Sequence, residues 1–282
     1  MRNLGFILAS GAVCLLLAGS ASATSTGWIT MSFYNVSPRD PDWVTTSMGT
    51  TLVGVYNQRV YLNSGWGDLI DGPDSDTLPD QEASQLIASL GNADGNAGTS
   101  SAWAYASTFC ADFKQYASGS FLRYDIFKPA DAPIGGANNP MGDTKAADLR
   151  RLFDNYSANG LGTPYTLGTT TYGANQTSAA FQAAVWNIIY DTDLNVTSGA
   201  FHVDLVNGVE KTWAALSNYW LANLGTVDPC LGLRILVSEN QQDFAIVVPG
   251  IGRDPIPEPV TMAGLMLGIG SIAGYVRRRR TA

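Results

Sequence analysis

A cysteine and a glutamine are the residues of this chain whose types and surroundings could do covalent chemistry. Gln182 lies in the apolar segment 178–191, where helical periodicity puts it on one stripe with Trp186. A buried carboxamide without hydrogen bonds costs about 1–3 kcal/mol, so this position needs a role. One role is that of a hydrogen-bonded core glutamine. The other is acylation of a thiol, for which Cys110 is the candidate, in a segment, 108–114, that is typical of a strand.

An internal thioester forms when sulfur attacks the carbon of a primary amide and ammonia leaves. A strand could fix Cys110 and a packed helix could fix Gln182, while Trp186, one helical turn further on, could cover the pair. Such fixed contact is worth an effective molarity of ~10⁵ M or more, and exclusion of water protects the product. The product would be an electrophile that acylates an amine or a hydroxyl on a partner surface.

The first 23 residues have the layout of a secretory signal peptide. Arg2 supplies a positive charge, residues 4–19 are apolar, and the small residues at 21–23 are typical of a cleavage site. We therefore expect residues 1–23 to be removed and residues 24–253 to form the exported domain.

Residues 254–282 predict a membrane-sorting tail. Pro257, Glu258 and Pro259 precede an uncharged segment, 260–276, that would span roughly 25 Å as a helix. Four arginines follow this segment: Arg277, Arg278, Arg279 and Arg280. They predict a stop-transfer signal with the C-terminus in the cytoplasm, and an ordinary single-span anchor would share this pattern.

The order of these three parts resembles the PEP-CTERM sorting signal of Gram-negative bacteria. The resemblance implies processing by an exosortase-type membrane enzyme, with the inner membrane holding residues 260–276 before processing. It also implies delivery to the cell envelope, the cell surface or a biofilm exopolysaccharide matrix. The net charge of −8 is consistent with a secreted protein and argues against nucleic acid as a partner.

The pattern of apolar residues predicts an α+β fold. Strands are predicted at 30–36, at 51–62 as a hairpin, at 108–114, at 120–127, and at 231–237 and 243–248 as a closing hairpin. Helices are predicted at 78–90, 144–156, 178–191 and 209–224. Strands, then helices, then strands predict a mainly antiparallel sheet or barrel lobe with an inserted helical lobe, flanked by the signal peptide and the C-terminal transmembrane helix.

The two candidate segments resemble the motifs of the Cys-Gln thioester domains of bacterial surface adhesins. An aromatic residue precedes the cysteine, as in Phe109-Cys110, and residues 181–186 match the pattern of apolar residue, glutamine, any residue, alanine, aliphatic residue and tryptophan. The resemblance implies that Cys110 is the thioester nucleophile and Gln182 the acyl donor, with Phe109 and Trp186 lining the site. It implies an adhesive protein rather than a turnover enzyme, with no cofactor.

A disulfide is the competing use of the same cysteine. Cys110 and Cys230 are the two cysteines outside the leader, and such a pair in an exported protein commonly forms a disulfide. Closing a loop of about 120 residues could contribute ~4 kcal/mol. The thioester and the disulfide exclude each other at Cys110. The disulfide would make the chain a passive structural matrix protein of the same fold.

Other patterns are weaker. His202, the single histidine, could join Cys110 and Asp204 in a hydrolase triad, but no nucleophile motif accompanies them. Four carboxylates could bind calcium, although they depart from the EF-hand pattern: Asp71, Asp74, Asp76 and Asp80. A solvated turn is the favoured interpretation there, and we predict no metal site.

Overall fold

The computed structural model describes residues 27–61, 103–134, 140–206, 208–225 and 232–248. Several predicted features lie outside the described residues: the signal peptide, the acidic segment 71–80, the helix at 78–90, Cys230 and the tail at 254–282. Within the described ranges, no helix combines the length and apolarity that crossing a membrane requires.

The described residues form ten strands and three α-helices. The strands are Gly27–Arg39 (β1), Val44–Thr46 (β2), Gly49–Thr51 (β3), Gly54–Tyr61 (β4), Trp103–Cys110 (β5), Leu122–Phe127 (β6), Tyr165–Leu167 (β7), Thr170–Tyr172 (β8), Leu233–Val237 (β9) and Phe244–Val247 (β10). The helices are Asp143–Gly160 (α1), Ala174–Tyr190 (α2) and Ala214–Ala222 (α3).

Six of the strands close into a barrel in the order β1-β4-β5-β10-β9-β6, and every neighbouring pair is antiparallel. Two short hairpins, β2–β3 and β7–β8, lie outside the barrel. The three helices come between β6 and β9 in chain order. The predicted α+β class with a mainly antiparallel barrel is therefore confirmed.

Helix α2 is the centre of the helical part. Every residue from 177 to 189 is buried, as expected for a helix that carries apolar residues on every side. It packs against β1, β4 and β5 of the barrel and against both other helices. A helix enclosed in this way can hold a polar side chain in a fixed position.

The C-terminal end of β5 is enclosed on both faces. Tyr105 and Ser107 are exposed between buried neighbours, whereas residues 108–110 are all buried. The alternation stops because the helices cover this end of the strand: the Phe109 ring lies 4.5 Å from the Phe181 ring of α2 and 5.6 Å from the Phe153 ring of α1. The end of β5 and the middle of α2 are thus in direct contact.

The prediction of a hairpin at 51–62 is wrong. Its central residues belong to β4, which pairs with β1 on one side and β5 on the other. Tyr56 and Gln58 are buried, and Thr108 accepts a hydrogen bond from Gln58 at 3.5 Å. Polar residues in the middle of an apolar run therefore mark a buried strand here, not a turn.

Two predicted elements extend too far. The strand at 108–114 ends at Cys110, because Asp112 turns the chain by accepting the Lys114 N–H at 2.8 Å. The helix at 209–224 begins only at Ala214. The residues before it are held by a distant carboxylate, since Trp213 Nε1 donates to Asp40 at 2.6 Å.

The remaining predicted elements within the described ranges are confirmed with shifted ends. The strand at 30–36 is longer, the helix at 144–156 is longer, and the helix at 178–191 begins one turn earlier, at Ala174. The strand at 120–127 is two residues shorter, and β9 and β10 form the predicted closing hairpin.

Candidate functional site

The structure brings Cys110 and Gln182 together. The Cys110 N–H donates to Gln182 Oε1 at 2.8 Å, and Gln182 Nε2 donates to the Cys110 carbonyl at 2.9 Å. Both residues are completely buried. The carboxamide is therefore held at two points against the main chain of the residue that carries the thiol.

The Gln182 side chain bonds to the Cys110 main chain because the pairing of β4 with β5 ends before Cys110. The β4–β5 register ends at Tyr56↔Thr108, two residues before Cys110. On the other side, β10 pairs Phe244 with Cys110. The Cys110 N–H and C=O thus have no β4 partner, and the Gln182 carboxamide supplies the donor and the acceptor that buried main-chain groups need.

The Cys110 thiol is free and donates to the Asp112 carbonyl at 2.9 Å. Burial raises the pKa of this thiol well above its ordinary value, and the Asp112 and Asp243 carboxylates raise it further. The indole of Trp186 opposes this rise in pKa, although its N–H falls outside ordinary hydrogen-bond geometry and has no acceptor among the described residues. The sulfur is consequently a neutral thiol at rest.

Both predicted site-lining residues lie at the pair. Phe109 packs on the helices directly before Cys110. Trp186, one turn after Gln182, is 1% exposed, and its ring lies 4.6 Å from the Phe113 ring and 6.0 Å from the Phe201 ring. These aromatic rings enclose the site and shield it from bulk solvent.

A polar network beside the thiol was not predicted. The Tyr190 hydroxyl accepts the Phe113 N–H at 3.0 Å and lies 3.2 Å from Asp112 Oδ1. Asp112 is completely buried, and its Oδ2 has no partner among the described residues. The sequence held one indication that Tyr190 lies near the site. Tyr190 follows Gln182 by eight residues and so lies on the same face of α2.

The buried Asp243 carboxyl predicts a pH-dependent stability. Burial and the neighbouring Asp112 raise the pKa of Asp243 to about 8. Between pH 4 and about 8 the folded state therefore keeps a proton that the unfolded state releases, so the free energy of unfolding falls as pH rises through this window. We expect a loss of at least about 1 kcal/mol between pH 5 and pH 9 from this group.

Asp243→Asn should remove this loss, because the amide still accepts the Ser238 N–H and does not titrate. Denaturant unfolding at pH 5 and pH 9 measures the effect, with Asp125→Asn on the barrel surface as the control. An equal pH dependence in the wild type and Asp243→Asn would contradict the prediction.

His202 is paired elsewhere. Its Nδ1 lies 3.0 Å from the Gly199 carbonyl and its Nε2 lies 3.5 Å from Asp204 Oδ1. In the part of the chain that the structure describes, no hydrogen bond joins either residue to Cys110, so the considered hydrolase triad is not assembled. The described residues also include no group of three or more histidine, cysteine, aspartate or glutamate side chains suited to a metal ion.

No protein-family model, curated protein or solved structure matches this chain.

Proposed function

We propose that this chain is an exported bacterial adhesive protein that carries an internal thioester between Cys110 Sγ and Gln182 Cδ. The observation that supports this most strongly is the pair of hydrogen bonds between the Gln182 carboxamide and the Cys110 main chain. It places the amide carbon beside the residue whose thiol would attack it.

The same contacts favour the reaction chemically. The Cys110 N–H points at Gln182 Oε1, where negative charge develops when sulfur adds to the amide carbon, so it would stabilise the oxyanion. The pair is fully buried, and a dry site protects the thioester from hydrolysis. A partner amine or hydroxyl that reaches the carbonyl would be acylated, and the Cys110 thiol would be released.

The processing and location of the protein are part of the same proposal. The signal peptide, the Pro257-Glu258-Pro259 motif and the arginine cluster support export, exosortase processing and delivery to the envelope or matrix of a Gram-negative bacterium. The domain would then act outside the inner membrane, where a stored acyl group can meet a foreign surface.

A passive matrix protein of the same fold is the alternative. The two hydrogen bonds of Gln182 also satisfy the Cys110 main chain without any covalent step, as expected of a core glutamine. In that case Cys110 would be available to Cys230.

The mass of the intact protein separates these functions. A thioester should lower the mass by one ammonia, a disulfide by two hydrogens, and free thiols should leave it unchanged. Methylamine should react only with the thioester form. It should add its own mass by forming a Gln182 methylamide and a free Cys110 thiol. The same spectrum of envelope-located protein should show a chain that lacks the four arginines and the terminal Thr281-Ala282.

Three variants serve as controls. Cys110→Ala and Gln182→Ala should each abolish the loss of ammonia, whereas Cys230→Ala should keep it. A deficit of two hydrogens that disappears in Cys230→Ala, with no response to methylamine, would refute the thioester and favour the matrix protein.

A further inference from the structure

Thioester formation at this site needs a proton acceptor. The attacking species is the thiolate, whereas burial keeps the Cys110 thiol neutral. The base must therefore lie inside the closed site, because the fully buried pair excludes water.

Among the described residues, four titratable side chains interact electrostatically with Cys110: Tyr56, Asp112, Tyr190 and Asp243. The two tyrosines are neutral phenols whose pKa values are raised by burial, so neither is a base. Asp243 has a pKa of about 8 and is mostly protonated at neutral pH. Asp112 is the remaining candidate for the base.

The geometry of Asp112 fits this task. Its main-chain carbonyl accepts the thiol proton at 2.9 Å, and its side-chain carboxyl interacts electrostatically with the same thiol. Its Oδ1 accepts the Lys114 N–H and faces the Tyr190 hydroxyl. Its Oδ2 is buried and without a partner among the described residues, so one carboxylate oxygen has a free lone pair.

We propose that the Asp112 carboxylate takes the proton from the Cys110 thiol and delivers it to the leaving nitrogen of Gln182, while Tyr190 positions that carboxylate. This inference rests on the proposed thioester. The Sγ–Cδ bond forms and the Cδ–Nε2 bond breaks. The thiol proton ends on the nitrogen, which leaves as ammonia, and Asp112 is again a carboxylate.

Tyr190 is the positioning residue of this relay. Tyr190 is the last residue of α2, and its side chain extends to the turn after β5. There its hydroxyl accepts the Phe113 N–H at 3.0 Å and lies 3.3 Å from the Ala111 carbonyl. The phenol thereby fixes the turn that carries Asp112 relative to the helix that carries Gln182.

The test measures how fast the full chain loses ammonia. Denatured protein treated with ammonia regains the Gln182 amide and the Cys110 thiol, and its refolding after ammonia is removed starts the reaction at a defined time. Mass spectrometry then follows the loss of ammonia. Asp112→Asn keeps the Oδ1 acceptor for the Lys114 N–H but is not a base, and it should slow the reaction at least ~100-fold.

Matched variants separate chemistry from folding. Asp243→Asn changes the neighbouring carboxyl and should stay within about threefold of the wild type. Tyr190→Phe should be slower by about tenfold, and Asp112→Glu should recover part of the rate that Asp112→Asn loses. Circular dichroism checks that every variant refolds, so that a slow rate reports on the relay.

Two negative outcomes have different meanings. If the wild type never loses ammonia, the proposed thioester fails and the relay fails with it. If the wild type loses ammonia and Asp112→Asn does so at the same rate, the relay is wrong while the thioester stands. A refolded Asp112→Glu that remains as slow as Asp112→Asn would also overturn the relay.

Discussion

Gln182→Met should destabilise the domain by about 2–6 kcal/mol relative to a chain with the free Gln182 carboxamide. Methionine keeps the length and the helix propensity of glutamine, but it can neither accept the Cys110 N–H nor donate to the Cys110 carbonyl. Both main-chain groups would remain buried without a partner, and each such group costs about 1–3 kcal/mol. Guanidinium unfolding of the full chain, followed by tryptophan fluorescence, measures the change.

Cys110→Ala is the matched control for this prediction. Neither variant can form a thioester, so the difference between them is independent of that bond. The alanine keeps the main chain and both hydrogen bonds and loses only the sulfur, which is worth about 1 kcal/mol, so Gln182→Met should be the less stable of the two variants. Equal stabilities of the two variants would show that the Gln182 carboxamide contributes nothing to the fold.

Gly160→Ala should destabilise the domain by about 2 kcal/mol and slow the proposed formation of the thioester. Gly160 is the last residue of α1, and a Cβ there would lie 2.5 Å from Phe181 Cγ. The Phe181 ring has little room to move, because it packs 4.5 Å from the Phe109 ring and 5.0 Å from the Phe153 ring. Overpacking costs about 1–3 kcal/mol and outweighs the usual helix gain from alanine.

The strain reaches the site because Phe181 immediately precedes Gln182. A displaced α2 would misalign the carboxamide with Cys110, so the rate of ammonia loss should fall together with stability. Gly119→Ala makes the same change where a Cβ meets nothing within 4 Å, and it should stay within about 0.5 kcal/mol of the wild type. Indistinguishable stabilities for Gly160→Ala and Gly119→Ala would refute the argument.

The Cys110–Gln182 pair could be predicted because each residue lies in a local sequence motif, although the two are 72 residues apart. A polar amide in a helix that is apolar on all sides must have a partner, and the apolar pattern of α2 identified that helix. The closing hairpin of β9 and β10 was predictable for the same reason, since each strand is a short apolar run.

The polar network could not be predicted, because it depends on how distant segments meet. Asp112 lies in a turn. The aromatic residues around it give that segment the pattern of a continuing strand, so the sequence did not indicate the turn. Tyr190 reaches that turn from a helix almost eighty residues later in the chain. In the same way, Asp40 fixes the residues before α3 across a separation of 173 residues, which overrides the local helical pattern.

The complete burial of Cys110 and Gln182 has a consequence for timing. An outside amine could reach the carbonyl of the proposed thioester only while α2 stands away from β5. The reaction would then proceed at the intrinsic rate multiplied by the fraction of time that the interface is open. When the free energy of opening increases by about 1.4 kcal/mol, that fraction becomes tenfold smaller. The acyl group would then persist for long periods in water, and attachment would be decided by how long a partner surface stays in contact.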